Sequence, residues 1–93
     1  MKKVDINKIR KKLDKLDVKL LRVIKERSIL VDQVVRLKKT KEEIVDKKRI
    51  KFILRRIKKK SIKAKIDPMI TINIWKTMIN AFISYEYKNL KKK

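Results

Sequence analysis

Arg27 falls inside a seam of apolar residues, and that position, more than its charge, makes it a candidate for chemistry. Apolar side chains recur at alternating intervals of four and three along Ile9, Leu13, Leu16, Leu20 and Val23, and resume at Leu30, Val34 and Leu37. Arg27 takes the seam position between them. A guanidinium stranded there costs on the order of several kcal/mol, so an anion must meet it, from the protein or from a ligand. Glu86 is the candidate within the chain. Trp75, Ile79, Phe82, Glu86 and Leu90 follow one another at four, three, four and four residues, which turns that carboxylate inward too. Spacing alone leaves two readings open: a structural ion pair of Arg27 with Glu86, or two members of one ligand site.

Further cations fall in register with Arg27. Lys38 comes eleven residues later, which in an α-helix is about 20° of rotation and roughly 16 Å along the axis, so both face the same interior. Asp46 and Arg49 are three residues apart, at the start of the next helical pattern and close to the loop that leaves Lys38. Arg10 sits beside the first seam position, roughly 25 Å from Arg27 on the same axis. An antiparallel second chain would return its own Arg10 to that place. Several inward cations with one carboxylate describe a pocket for a small polyanion, best a dicarboxylate held by bidentate arginine contacts.

Composition removes most other chemistry. The chain of 93 residues has no Gly, Cys or His and a single proline, Pro68. Without Gly, phosphate-cradling loops and dinucleotide fingerprints lose their usual means of construction. Without His or Cys, the common zinc and iron-sulfur sites, thiol chemistry and His-based triads are excluded, and no cofactor is implied. No apolar stretch approaches the roughly 20 residues of a membrane span, and the Lys-rich start lacks the apolar core of a signal peptide. A cytoplasmic protein without a membrane partner is the expectation. The net charge of +21 invites a nucleic-acid partner through counterion release. Against it, the basic residues occur in every segment, and the sequence displays neither a localised patch with aromatics nor a reading helix.

The elements that position these residues are helices. Residues 5–40 keep their seam without a break and read as one long helix, with Asp5 or Asn7 as its cap. Some 36 residues span roughly 54 Å, whereas a compact domain of this length is about 30 Å across. One chain cannot cover such a helix, so an intertwined homodimer is expected. Residues 38–43 read as a loop, 45–60 as a second helix carrying Ile50, Ile53, Leu54 and Ile57, and 61–66 as a second connection. Asp67 and Pro68 signal the start of a third helix, with Asp as cap and Pro at the first helical position, running to about Leu90. The fold class is all-α: a single domain over residues 1–93, with a three-helix subunit and one long N-terminal helix.

The run from Ile9 to Leu21, followed by Glu26 and Arg27, resembles the opening of the all-helical AroQ class of chorismate mutases. The similarity continues through Lys38, through Ile44 to Arg49, and from Trp75 to Glu86, and so covers nearly the whole chain. The resemblance implies an entwined dimer with two sites, each drawing residues from both chains, and the rearrangement of chorismate to prephenate without a cofactor. By that likeness Arg27 and the second chain's Arg10 bind the two substrate carboxylates, and Arg49 reaches its polar groups. Lys38 donates to the ether oxygen, Asp46 holds the ring hydroxyl region, and Glu86 stands where the family has Gln or Glu as a second donor to the ether oxygen. Two positions depart from the pattern. Ile50 replaces a Glu that contacts the substrate hydroxyl, and Phe82 replaces a small polar residue one turn before Glu86. An apolar residue at the first position is shared with the sister isochorismate pyruvate lyases, which makes that elimination the alternative activity.

Overall fold

The computed structural model describes residues 5–90, and every regular element among them is helical. α1 spans Ile6–Leu37, α2 Lys47–Lys63 and α3 Pro68–Leu90, with a short 3-10 turn, Lys41–Glu43, between α1 and α2. The expected all-α, three-helix architecture is the one observed. The chain divides into two units, residues 1–30 and residues 31–93, and each is described by itself.

In the first unit α1 runs without interruption. Asp5 starts it: its Oδ1 accepts from the backbone N–H of Asn7 at 2.9 Å and its carbonyl from that of Lys8 at 3.0 Å. Those are donors a helix start leaves without intrahelical partners. The seam residues Ile9, Leu13, Leu16, Leu20 and Val23 are all exposed in the single chain, Leu20 and Val23 at 58 % each. Arg10 is exposed and Arg27 half-buried.

The second unit comprises the last turns of α1, the 3-10 turn, α2 and α3, with α2 packed on α3. Ile50, Ile53, Leu54 and Ile57 form the half-buried inner face of α2, and Val35, Ile44 and Ile79 are the buried apolar residues. Both later helices begin on an aspartate. Asp46 Oδ1 accepts from the Arg49 N–H at 3.0 Å, and Asp67 Oδ1 from the Met69 N–H at 2.9 Å, with Pro68 at the first position of α3, where no N–H is needed.

Three boundaries differ from the sequence reading, each for a local reason: α2 begins at Lys47 instead of Val45, with Asp46 outside the helix as its cap. α1 stops at Leu37 instead of Thr40. The Glu43 carboxylate accepts from the Lys39 N–H and the Thr40 hydroxyl, each at 3.4 Å, and so offers the backbone an alternative to another helical turn. α2 continues to Lys63, so Ser61, expected in a loop, lies in a helix and is buried. Its hydroxyl is satisfied there, 2.6 Å from the Ile57 carbonyl and 2.6 Å from Thr71 Oγ1.

The end of α2 shows how a chain without glycine makes a turn that usually employs one. Lys65 adopts φ 60°, its N–H donates to the Ile62 carbonyl at 3.1 Å, and the Ile66 N–H reaches the Ser61 carbonyl at 2.9 Å. That pair of bonds closes a Schellman cap. A side chain in this left-handed conformation costs about 1 kcal/mol or more. Lys65→Gly is therefore expected to raise the urea midpoint by the equivalent of roughly 0.5–1 kcal/mol, reduced by glycine's greater freedom in the unfolded chain. An unchanged or lower midpoint would count against strain at Lys65.

Candidate active site

The second unit brings two of the sequence-predicted residues together across 48 positions of chain. Lys38 Nζ donates to Glu86 Oε1 at 2.8 Å and to the Ile44 carbonyl at 3.5 Å. Lys38 is delivered by the last turn of α1, where its N–H still bonds the Val34 and Val35 carbonyls. Glu86 is delivered by the inner stripe of α3, as its spacing from Ile79 requires. The two side chains are 18 % and 9 % exposed, so each charge is the other's main substitute for water. Of the two readings that spacing left open for Glu86, the structure supplies a third element: its carboxylate is engaged by Lys38.

A second polar link ties the same segments. The Tyr85 hydroxyl donates to Asp32 Oδ1 at 2.6 Å. This bond to a carboxylate is the first cause of a Tyr85 pKa above the ordinary phenol value; desolvation and the Asp32 charge add to it, and Arg36 opposes. Because the folded-state value is raised, the contribution of this bond is fully present below the ordinary value of about 10 and is lost as pH climbs through the raised one. In a Tyr87→Phe background, Asp32→Ala should lower the midpoint of tyrosinate formation followed by ultraviolet absorbance. An unmoved midpoint would deny the coupling.

Beside Lys38 lies an open cavity of about 640 Å³. Asp46, another predicted residue, lines it together with Glu42, Glu43, Val45, Lys47 and Lys48. Asp46 uses Oδ1 to cap α2, and Oδ2 makes no hydrogen bond among the described residues. The sequence reading passed over Glu42 and Glu43. The signal was available, since they occupy the short connection between Lys38 and Asp46, and such a connection borders whatever its two ends border.

Arg49 is placed differently from Lys38 and Asp46. It is exposed, it does not line the cavity, and its guanidinium lies 5.2 Å from the centroid of the Phe52 ring. Such a contact at an exposed site contributes about 0.5–1 kcal/mol. Ile50 is half-buried on the inner face of α2, and Phe82 is half-buried one turn before the buried Glu86. Arg10 and Arg27 belong to the first unit, where the seam register of Arg27 matches its partial burial.

Chemically, the second unit offers a partly buried ammonium beside a carboxylate and, next to them, a capped aspartate with an oxygen to spare. The protein is helical, and its sequence contains neither thiol nor imidazole. The chorismate mutase type II family model matches residues 9–87, and the chain belongs to that family. The matched span contains all eight predicted site residues, Arg10, Arg27, Lys38, Asp46, Arg49, Ile50, Phe82 and Glu86. No curated protein and no solved structure matches the chain.

Proposed function

We propose that this protein is a chorismate mutase that rearranges chorismate to prephenate in a cationic site completed by a second copy of the chain. The observation that carries the reading is the Lys38–Glu86 pair at 2.8 Å, at the two positions where the family resemblance expects the groups that face the ether oxygen. The rearrangement is concerted: the ether C–O bond breaks as a C–C bond forms, and no nucleophile, metal or cofactor takes part. Its requirements are a folded substrate conformer and positive charge at the oxygen that becomes negative. In this reading Arg27 and the second chain's Arg10 clamp the two carboxylates. Lys38 stabilises the developing charge, and Asp46 receives the ring hydroxyl through the oxygen its cap leaves over. Arg49 leaves the Phe52 ring for the substrate, since the contact it gives up is weaker than a charge-assisted bond to an anion.

The homodimer rests on the exposed seam of α1. At 1.5 Å per residue its 32 residues extend for ~48 Å, and an apolar stripe of that length in water marks an interface. A single domain, cytoplasmic and without a membrane partner, fits this reading; among the described residues no helix is long and apolar enough to cross a membrane.

Glu86 gives the proposal a second test. An ionised carboxylate accepts hydrogen bonds and cannot donate one to the ether oxygen, whereas a carboxamide can. Glu86→Gln should therefore raise turnover of chorismate by supplying a donor beside Lys38. Unchanged turnover in that variant would remove Glu86 from this role.

Ile50 favours one second reading. With an apolar side chain where the mutase pattern has Glu, the same site suits elimination of pyruvate from isochorismate. The deciding experiment supplies chorismate and isochorismate separately and quantifies prephenate, salicylate and pyruvate, with Arg27→Ala as control. Prephenate from chorismate supports the mutase, salicylate with pyruvate supports the lyase, and consumption of neither overturns both.

A further inference from the structure

The charge of this protein is not spread evenly once its residues are assigned to elements. α2 carries ten Lys and Arg and no acidic residue in 17 positions. α1 mixes ten basic with four acidic residues over 32, and α3 holds only Lys76 and Lys88 against Glu86 over 23. A bias toward lysine that merely solvates outer faces would have reached α3 as well. Its exposed positions are instead mostly neutral, among them Asn73, Ile74, Thr77, Asn80 and Ser84.

All ten α2 cations are exposed, and among the described residues none of them is in an ion pair. At 100° per residue they occupy about 220° of the helix circumference, opposite the face packed on α3. Lys47, Lys51, Arg55, Lys59 and Lys63 recur every fourth residue, a row with steps of ~6 Å along the axis. Phe52 stands inside this arc, 49 % exposed, with Lys48, Arg49, Arg55 and Arg56 three or four residues away on either side and the Arg49 guanidinium over its ring. The combination of a cationic track and a solvent-facing aromatic was invisible while exposure was unknown.

We infer that the outer face of α2 binds single-stranded nucleic acid, the cation row following the phosphates and Phe52 stacking on a base. Clustered cations gain affinity for a polyanion by releasing its counterions, and an aromatic on the track takes any base by its face. A lipid surface fits less well, because the apolar stripe of α2 is turned toward α3 and only Phe52 and Ile62 protrude among the cations. This inference is independent of the reaction proposed above.

The test measures fluorescence anisotropy of a labelled oligouridylate of about 16 nucleotides with the full chain across a salt series. Two variants of equal charge are compared: Lys51, Arg55, Lys59 and Lys63 changed to Gln on α2, and Lys8, Lys12, Lys15 and Lys19 changed to Gln on α1. The α2 variant should lose tenfold or more in affinity while its log–log salt slope falls by about 3, with chorismate turnover unchanged. The α1 variant should stay within about threefold. Phe52→Ala should weaken binding by about fivefold or more without altering the slope, and vesicles containing phosphatidylserine should compete poorly. Equal losses in the two four-residue variants, full affinity in Phe52→Ala, or tighter binding to the vesicles would each overturn the proposal.

Discussion

Replacing Lys38 with alanine is expected to lower kcat/KM for chorismate by about 10²–10³-fold, the usual loss when one charge-stabilising donor is removed from an active site. The same change destabilises the fold, because Glu86 keeps its carboxylate in a place shielded from water and loses the ammonium 2.8 Å away. The two effects separate in a double variant. With Glu86→Gln added, no charge is stranded, so thermal stability recovers while turnover stays low. Parallel recovery of stability and activity would mean that Lys38 serves the fold and not the reaction. The measurement needs only steady-state rates and a melting curve for the unmodified protein and the two variants.

That separation is needed because Lys38 occupies a junction. Its backbone closes the last turn of α1, and its side chain reaches both Ile44 and Glu86. The sequence made the direction of each side chain legible through periodicity: Lys38 keeps the rotational register of Arg27, and Glu86 follows Ile79 and Phe82 on one stripe. Periodicity fixes a face, however, and not a partner. Whether Glu86 meets Arg27, Lys38 or a ligand depends on how helices from distant parts of the chain pack, and no local pattern encodes that.

Ser61 and Arg49 mark the same boundary from other sides. A serine after three lysines reads as the end of a helix, and the Thr71 hydroxyl, ten residues on, joins the Ile57 carbonyl in making it a good buried residue. Arg49 was correctly assigned to the start of α2 from its spacing to Asp46, yet the direction of its long side chain is set by Phe52, a residue outside every recognised pattern. The cap of α3 was readable for the opposite reason. Asp67 acts on an amide two residues away, so sequence contains the whole interaction.

Mixing two inactive proteins, Arg10→Ala and Arg27→Ala, restores about a quarter of the unmodified activity if each site is shared between chains. Random re-pairing makes half of the dimers mixed. In a mixed dimer one site joins an intact Arg27 to the other chain's intact Arg10, and the second site has lost both, so one site in four overall is complete. A site contained within one chain gives no recovery. The exchange requires the α1 seam: fully burying a leucine contributes about 1.5–3 kcal/mol, counted twice by two-fold symmetry, and a charge in its place adds a desolvation cost of several kcal/mol more. Leu20→Glu, at a seam position 58 % exposed in the single chain, should therefore yield monomers by sedimentation equilibrium, with loss of turnover and no recovery on mixing. Val18→Glu introduces the same charge off the seam and should leave dimer and turnover intact. If both variants dimerise equally, the seam is not the interface, and the long helix that carries Arg10 and Arg27 must find its cover elsewhere.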